Sequence, residues 1–143
     1  MLGTLAKWLR ILGYDTLLDP ALDDHQLVRL ARAEDRVLLT RDRELARRRG
    51  LRVLLVDGEQ LDDQIREVRR ELALPTAEAF SRCPVCNQVL QPMEADAAQA
   101  RVPAYVAQTQ QTFRSCPVCG RIYWHGTHRL RMEERLTQII NGG

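Results

Sequence analysis

The chain is 143 residues long with a formal net charge of +2 and, apart from Lys7, draws every basic side chain except its histidines from arginine. That length suits one compact domain or two small ones, and so small a net charge does not by itself argue for a polyanionic partner. No apolar run approaches the roughly 20 residues of a membrane span. The first twelve residues carry Lys7 and Arg10 and lack a secretory cleavage pattern, so a cytoplasmic protein without a membrane anchor is expected.

Leu5, Trp8, Leu9 and Leu12 recur at helical spacing, which predicts an amphipathic helix starting almost at Met1 and stopped by Gly13. Tyr14–Leu18 reads as a short strand, broken by Asp19-Pro20. Asp23 or Asp24 then caps a helix whose apolar stripe is Leu27, Leu30 and Ala31. Arg36–Thr40 is a buried strand by composition. Asp42 opens a short helix through Leu45 and Ala46, and Leu51–Val56 is a further strand closed by the turn Asp57-Gly58. Leu61, Ile65, Val68 and Leu72 mark a third substantial helix, which Pro75 ends. Helices alternating with strands over residues 1–74 imply an α/β fold, a parallel sheet flanked by helices. A helix that opens such a unit normally follows a strand, and this one follows none, so the pattern lacks its first strand.

In sheets of this kind, ligands gather beyond the carboxyl ends of the strands. Asp42 lies just past Thr40, Asp24 at the start of a helix and Asp57 at the end of the last strand. Three carboxylates at one edge suit a hard divalent ion such as Mg²⁺ or Mn²⁺, and two such ions would stabilise the attacking and leaving oxygens of a phosphodiester displacement. Each acid also has a plainer reading, as a helix cap for Asp24 and Asp42 and a turn residue for Asp57. Arg47-Arg48-Arg49 suits a solvated helix end.

The second half is organised by two copies of one tetrapeptide, Cys83-Pro84-Val85-Cys86 and Cys116-Pro117-Val118-Cys119, which hold every cysteine. Their spacing is that of a tetrathiolate zinc site. Four thiolates leave no open coordination position, so the expected Zn²⁺ is structural and any catalysis lies elsewhere. Asn87 and Gly120 follow the second cysteine of each pair, where the turn needs left-handed backbone. The expected organisation is a sheet domain over residues 1–78 and a zinc ribbon with a C-terminal helix over 79–143. Val89-Leu90 and Ile122–Trp124 read as ribbon strands, residues 99–111 as an excursion without clear pattern, and Thr127 as the cap of the last helix. Trp124, His125 and His128 could contact an RNA strand. A core position for Trp124 and a surface one for His125 are equally compatible with the sequence.

Gly3–Thr16, the run Leu38-Leu39-Thr40-Arg41-Asp42-Arg43, both cysteine pairs and the tail Gly120–His128 with Arg131-Met132 together resemble the RNase domain found at the C-terminus of Mut-seven exonucleases. The resemblance covers the chain in order. It implies a PIN-like fold and a metal-dependent ribonuclease, with Asp42 and Asp24 holding Mg²⁺ or Mn²⁺ and Asp57 as a third catalytic acid. It also implies RNA contacts by Lys7, Arg10, Thr40, Arg41, Arg121, Trp124 and His128. The family opens with a hydrophobic strand ending in a metal-binding aspartate ahead of the residues matching Met1-Leu2-Gly3. Its absence here matches the strand missing from the pattern. Two function classes follow: a ribonuclease with a zinc ribbon that presents RNA, and a non-catalytic RNA- or protein-binding adaptor with a degenerate acid cluster.

Overall fold

A computed structural model describes residues 2–142. It contains two compact units, one built from the residues up to Ala6 with Leu17–Thr76, the other from Lys7–Thr16 with the chain from Ala77 onward. The first helix, α1 (Gly3–Ile11), contributes residues to both.

In the first unit α2 (Asp24–Ala33) opens with a capping box. The Asp23 side chain accepts from the Gln26 N–H at 2.8 Å, and the Gln26 amide oxygen accepts from the Asp23 N–H at 2.9 Å. Asp23 is therefore the cap and Asp24 the first helical residue. The buried face of α2 is Val28 and Ala31, one residue round from the stripe that Leu27 suggested. Strands β1 (Leu38–Thr40) and β2 (Val53–Leu55) run parallel, with Leu38 opposite Val53 and Thr40 opposite Leu55. The short α3 (Arg43–Ala46) packs on both and buries Leu45. Helix α4 (Leu61–Glu71) buries Ile65 and Val68 completely, and Val56 is buried to the same degree. The unit is mixed α/β with a small parallel sheet.

The strand expected at Tyr14–Leu18 does not form. Its backbone groups find other partners: the Tyr14 N–H donates to Leu9 O, the Thr16 N–H to Asn87 Oδ1, and Thr16 O accepts from Arg10 Nε. A helix-end carbonyl and two side chains have taken the groups that a neighbouring strand would use.

The second unit carries an antiparallel sheet of β3 (Gln91–Met93), β4 (Phe113–Ser115) and β5 (Ile122–Trp124), in that order. The strand expected at Val89-Leu90 is reduced to one bridge between Arg82 and Val89, and β3 starts after it. The stretch without clear pattern folds into α5 (Ala95–Gln99) and α6 (Ala104–Thr109), neither long enough to show a helical period. They survive by packing: Ala98, Val106 and Phe113 form a buried cluster, joined by Met93, Ile122 and Trp124. Helix α7 (Thr127–Asn141) buries Leu136 and Ile139; its cap is Gly126, so Thr127 is its first helical residue.

A boundary at 78/79 was expected. The division falls after Thr76, and Lys7–Thr16 groups with the ribbon half. The bonds responsible are local to that unit. Phe80 N–H donates to Ile11 O at 2.7 Å and Arg82 Nε to Gly13 O at 3.2 Å. Gly13 sits at φ +100°, with a side chain excluded because a Cβ would collide with the Glu78 carbonyl oxygen.

Candidate functional site

Both cysteine pairs fold into the same knuckle. Cys83 N–H donates to Gln88 O and Asn87 N–H to Cys83 O; in the second copy Cys116 N–H donates to Arg121 O and Gly120 N–H to Cys116 O, all at 2.8–3.0 Å. Asn87 and Gly120 occupy left-handed backbone at φ +67° and +76°, as the turn requires. The closure brings the four Sγ atoms within 4.8 Å of one another, and among the described residues no other group of three or more His, Cys, Asp or Glu converges in this way.

The spacing fits a metal. Zn–S bonds of ~2.3 Å at tetrahedral angles put sulfurs about 3.8 Å apart, and Cys83 Sγ lies 3.8 Å from Cys119 Sγ. A disulfide would need ~2.05 Å, and all four cysteines are free. The donor set can therefore bind a metal such as zinc, in the setting of a zinc ribbon. Cys83 and Cys116 are buried beside Leu90, Cys86 is half-buried and Cys119 exposed. The Cys119 N–H points at Cys116 Sγ at 3.5 Å. Tyr123 Oη lies 3.2 Å from Cys83 Sγ, and burial raises its pKa, so it stays a proton donor toward a thiolate. Without a metal the protons are unevenly held. Desolvation, then hydrogen bonds with Cys119 and Cys116, push the Cys86 thiol up to about 12. Hydrogen bonds from Arg121 pull Cys119 down to about 6. A metal must displace the Cys86 proton, so affinity falls as pH falls.

Two of the three acids stand at the sheet edge of the other unit. Asp42 and Asp57 each stand two residues past the in-register pair Thr40 and Leu55, beyond the carboxyl ends of adjacent parallel strands. Asp42 Oδ1 caps α3, accepting from Glu44 N–H at 2.9 Å and Leu45 N–H at 3.4 Å. Asp24 is exposed in the first turn of α2. Carboxylate oxygens have the chemistry for Mg²⁺ or Mn²⁺, but the three acids do not form a converged set among the described residues.

The residues expected to meet RNA are placed differently from one another. Thr40 is buried and its hydroxyl accepts from the Asp42 N–H at 3.0 Å. Arg41 donates from Nη1 to the carbonyls of Val56 and Gly58, tying the two strand ends together. Arg10 is a correction to the expectation: it is buried, with its guanidinium on Thr16, Pro84 and Val85 carbonyls rather than at a surface. Trp124 is half-buried and packs edge-on to Phe113 with ring centres 6.4 Å apart, close to the core position that the sequence also allowed. Arg121 is exposed and hydrogen-bonds the Cys119 sulfur. Lys7 and His128 are exposed, and His125 Nε2 lies 3.6 Å from Glu133.

Two residues that support the acid edge escaped sequence reasoning. The Glu67 carboxylate accepts from the Asp57 and Gly58 N–H groups at 2.9–3.1 Å, and the Gln64 amide donates to Gly58 O at 2.9 Å. Their signal was polarity next to the apolar stripe of α4, where Gln64 adjoins Ile65 and is buried with it.

The chain thus combines a mixed α/β unit, with acids beyond its strands, and a four-cysteine group able to bind a metal such as zinc. The family model of the Mut7-C RNAse domain matches residues 1–136, and the chain belongs to that family. No curated protein and no solved structure matches it. Among the described residues, no helix is long and apolar enough to cross a membrane.

Proposed function

We propose that this protein is a metal-dependent ribonuclease that hydrolyses RNA phosphodiesters at the edge carrying Asp42, Asp57 and Asp24, with Zn²⁺ held structurally by Cys83, Cys86, Cys116 and Cys119. The observation that carries this is the register. Asp42 and Asp57 are set equally far past adjacent parallel strands, at the edge where such folds bind ligands, in a chain of a ribonuclease family. Mg²⁺ or Mn²⁺ bound there would supply a water nucleophile at neutral pH and neutralise the leaving oxygen. The chain's own contribution is to hold the acids. The cap bonds of Asp42 both fall on Oδ1, so capping and a ligand role for Oδ2 use different oxygens. Glu67, Gln64 and Arg41 fix the turn that carries Asp57. RNA is the partner, with the exposed Lys7 and His128 as its contacts.

A second reading, a zinc-ribbon adaptor that binds RNA or protein without cutting, is favoured by the lack of convergence among the three acids. One substitution separates the two. Asp42→Asn keeps a capping oxygen and removes the charge, so Mn²⁺-dependent cleavage of single-stranded RNA should fall to background while zinc content and the unfolding midpoint stay within error. Cleavage at the parental rate in Asp42→Asn would refute the acid-edge mechanism, and no Mn²⁺-dependent cleavage by the unmutated chain would leave the adaptor reading standing.

A further inference from the structure

Arg10 is the only charged side chain in the buried class among the described residues, 7% exposed. A cation removed from water needs its donors satisfied. Nε donates to Thr16 O at 2.8 Å, and Nη1 to Pro84 O at 2.9 Å and Val85 O at 3.1 Å. The last two carbonyls belong to the first knuckle, between Cys83 and Cys86, and the guanidinium charge acts on both sulfurs. A trans peptide sets its N–H opposite its C=O. Fixing the carbonyls of Pro84 and Val85 on Arg10 therefore turns the N–H groups of Val85 and Cys86 to the other side. In the second knuckle the equivalent N–H, that of Cys119, faces Cys116 Sγ.

Asn87 makes a second tie. Its Oδ1 accepts from the Thr16 N–H at 2.9 Å and its Nδ2 donates to Asp15 Oδ1 at 2.6 Å. The knuckle is thus bonded to Asp15 and Thr16 directly, and through Arg10 both to α1 and to Thr16 O.

Resting on the reading of the four cysteines as a zinc centre, we propose that Arg10 is a positioning residue of that centre, and that through Arg10 and Asn87 the order of Lys7–Thr16 depends on the metal. A divalent ion with four thiolates is a doubly negative centre, which a buried guanidinium at its knuckle offsets. Coupling is reciprocal. Whatever Arg10 adds to metal retention, the bound metal returns as order in the segment that Arg10 anchors.

The test uses the full chain and a colorimetric chelator. The unmutated protein is first assayed for zinc; one zinc per chain establishes the centre independently of Arg10. Arg10→Gln, which keeps hydrogen-bonding capacity but not the charge or the fork, should then lose zinc roughly ten- to a hundredfold faster, the usual scale for residues that orient metal ligands. Arg10→Lys, with the charge but without the fork, should fall between. Hydrogen exchange gives the second readout. Stripping zinc from the unmutated chain should remove protection from the amides of Tyr14 and Thr16. Parental zinc release in Arg10→Gln would overturn the proposal. If that variant does not fold, Tyr14 and Thr16 amides that stay protected without zinc would overturn it instead.

Discussion

The two knuckles share one tetrapeptide and one set of backbone bonds, yet their surroundings differ. The first is packed from outside: Arg10 holds its carbonyls, Asn87 ties it to Asp15 and Thr16, and Arg82 Nη1 donates to Asn87 O. The second is buried at Cys116 and opens to solvent at its other end. Cys119 is exposed, Gly120 stands where the first has Asn87, and the neighbouring cations Arg101 and Arg121 lie at the surface. The protons follow the same division, with Cys86 pushed up and Cys119 pulled down. A local motif therefore specifies the turn, while its burial and charge are set by what folds against it.

The largest effect should come from removing the feature both knuckles share. Cys116→Ala leaves three sulfurs for a tetrahedral ion, and structural zinc contributes about 10–16 kcal/mol of apparent binding free energy to small modules. Elemental analysis should find the zinc gone, and near-ultraviolet circular dichroism should show loss of fixed packing around Trp124. Full zinc content in this variant would refute a four-thiolate centre.

What the sequence made legible follows the same line between local and non-local causes. The knuckles were readable because their spacing is chemistry at short range, and α4 because Ile65 and Val68 repeat at the helical period. The strand at Tyr14–Leu18 was not, because its backbone partners are Asn87 and Arg10, the former far along the chain. Arg10 itself misled, since an arginine on a helix reads as a surface cation until the carbonyls of Pro84 and Val85 arrive from elsewhere. For Trp124 the core position was one of the two readings the sequence left open, but its partner Phe113 sits across a strand pair that no sequence period announces. At the acid edge, the position of Asp42 past a strand was legible, but the support from Glu67 and Gln64 was not, because it needs α4 folded against the turn.

A pair of reciprocal exchanges sharpens the comparison at the next size down. Asn87→Gly accepts φ +67° without strain but removes the bond from the half-buried Thr16 N–H to Asn87 Oδ1, a cost of about 1–1.5 kcal/mol. Gly120→Asn keeps a residue tolerant of left-handed backbone, where a Cβ meets only the Arg101 guanidinium at 3.5 Å, so a cost below ~1 kcal/mol is expected. Denaturant unfolding of the zinc-loaded proteins measures both. Equal costs would mean that the first knuckle's extra bonds contribute no stability.

The smallest effect expected is at the second knuckle's own arginine. Arg101 Nη2 donates to Gly120 O at 3.0 Å, so by contact alone it is the counterpart of Arg10. Its setting is different, because Arg101 is exposed and water can replace it on the carbonyl. An exchange of one solvated partner for another is worth well under about 1 kcal/mol, whereas Arg10 cannot be replaced by bulk water without opening the segment around it. Arg101→Gln should therefore release zinc to a chelator within about twofold of the parental rate, measured beside Arg10→Gln. A rate change in Arg101→Gln as large as that in Arg10→Gln would show that contact with a knuckle carbonyl, and not burial, is what matters, and the distinction between the two knuckles would fall.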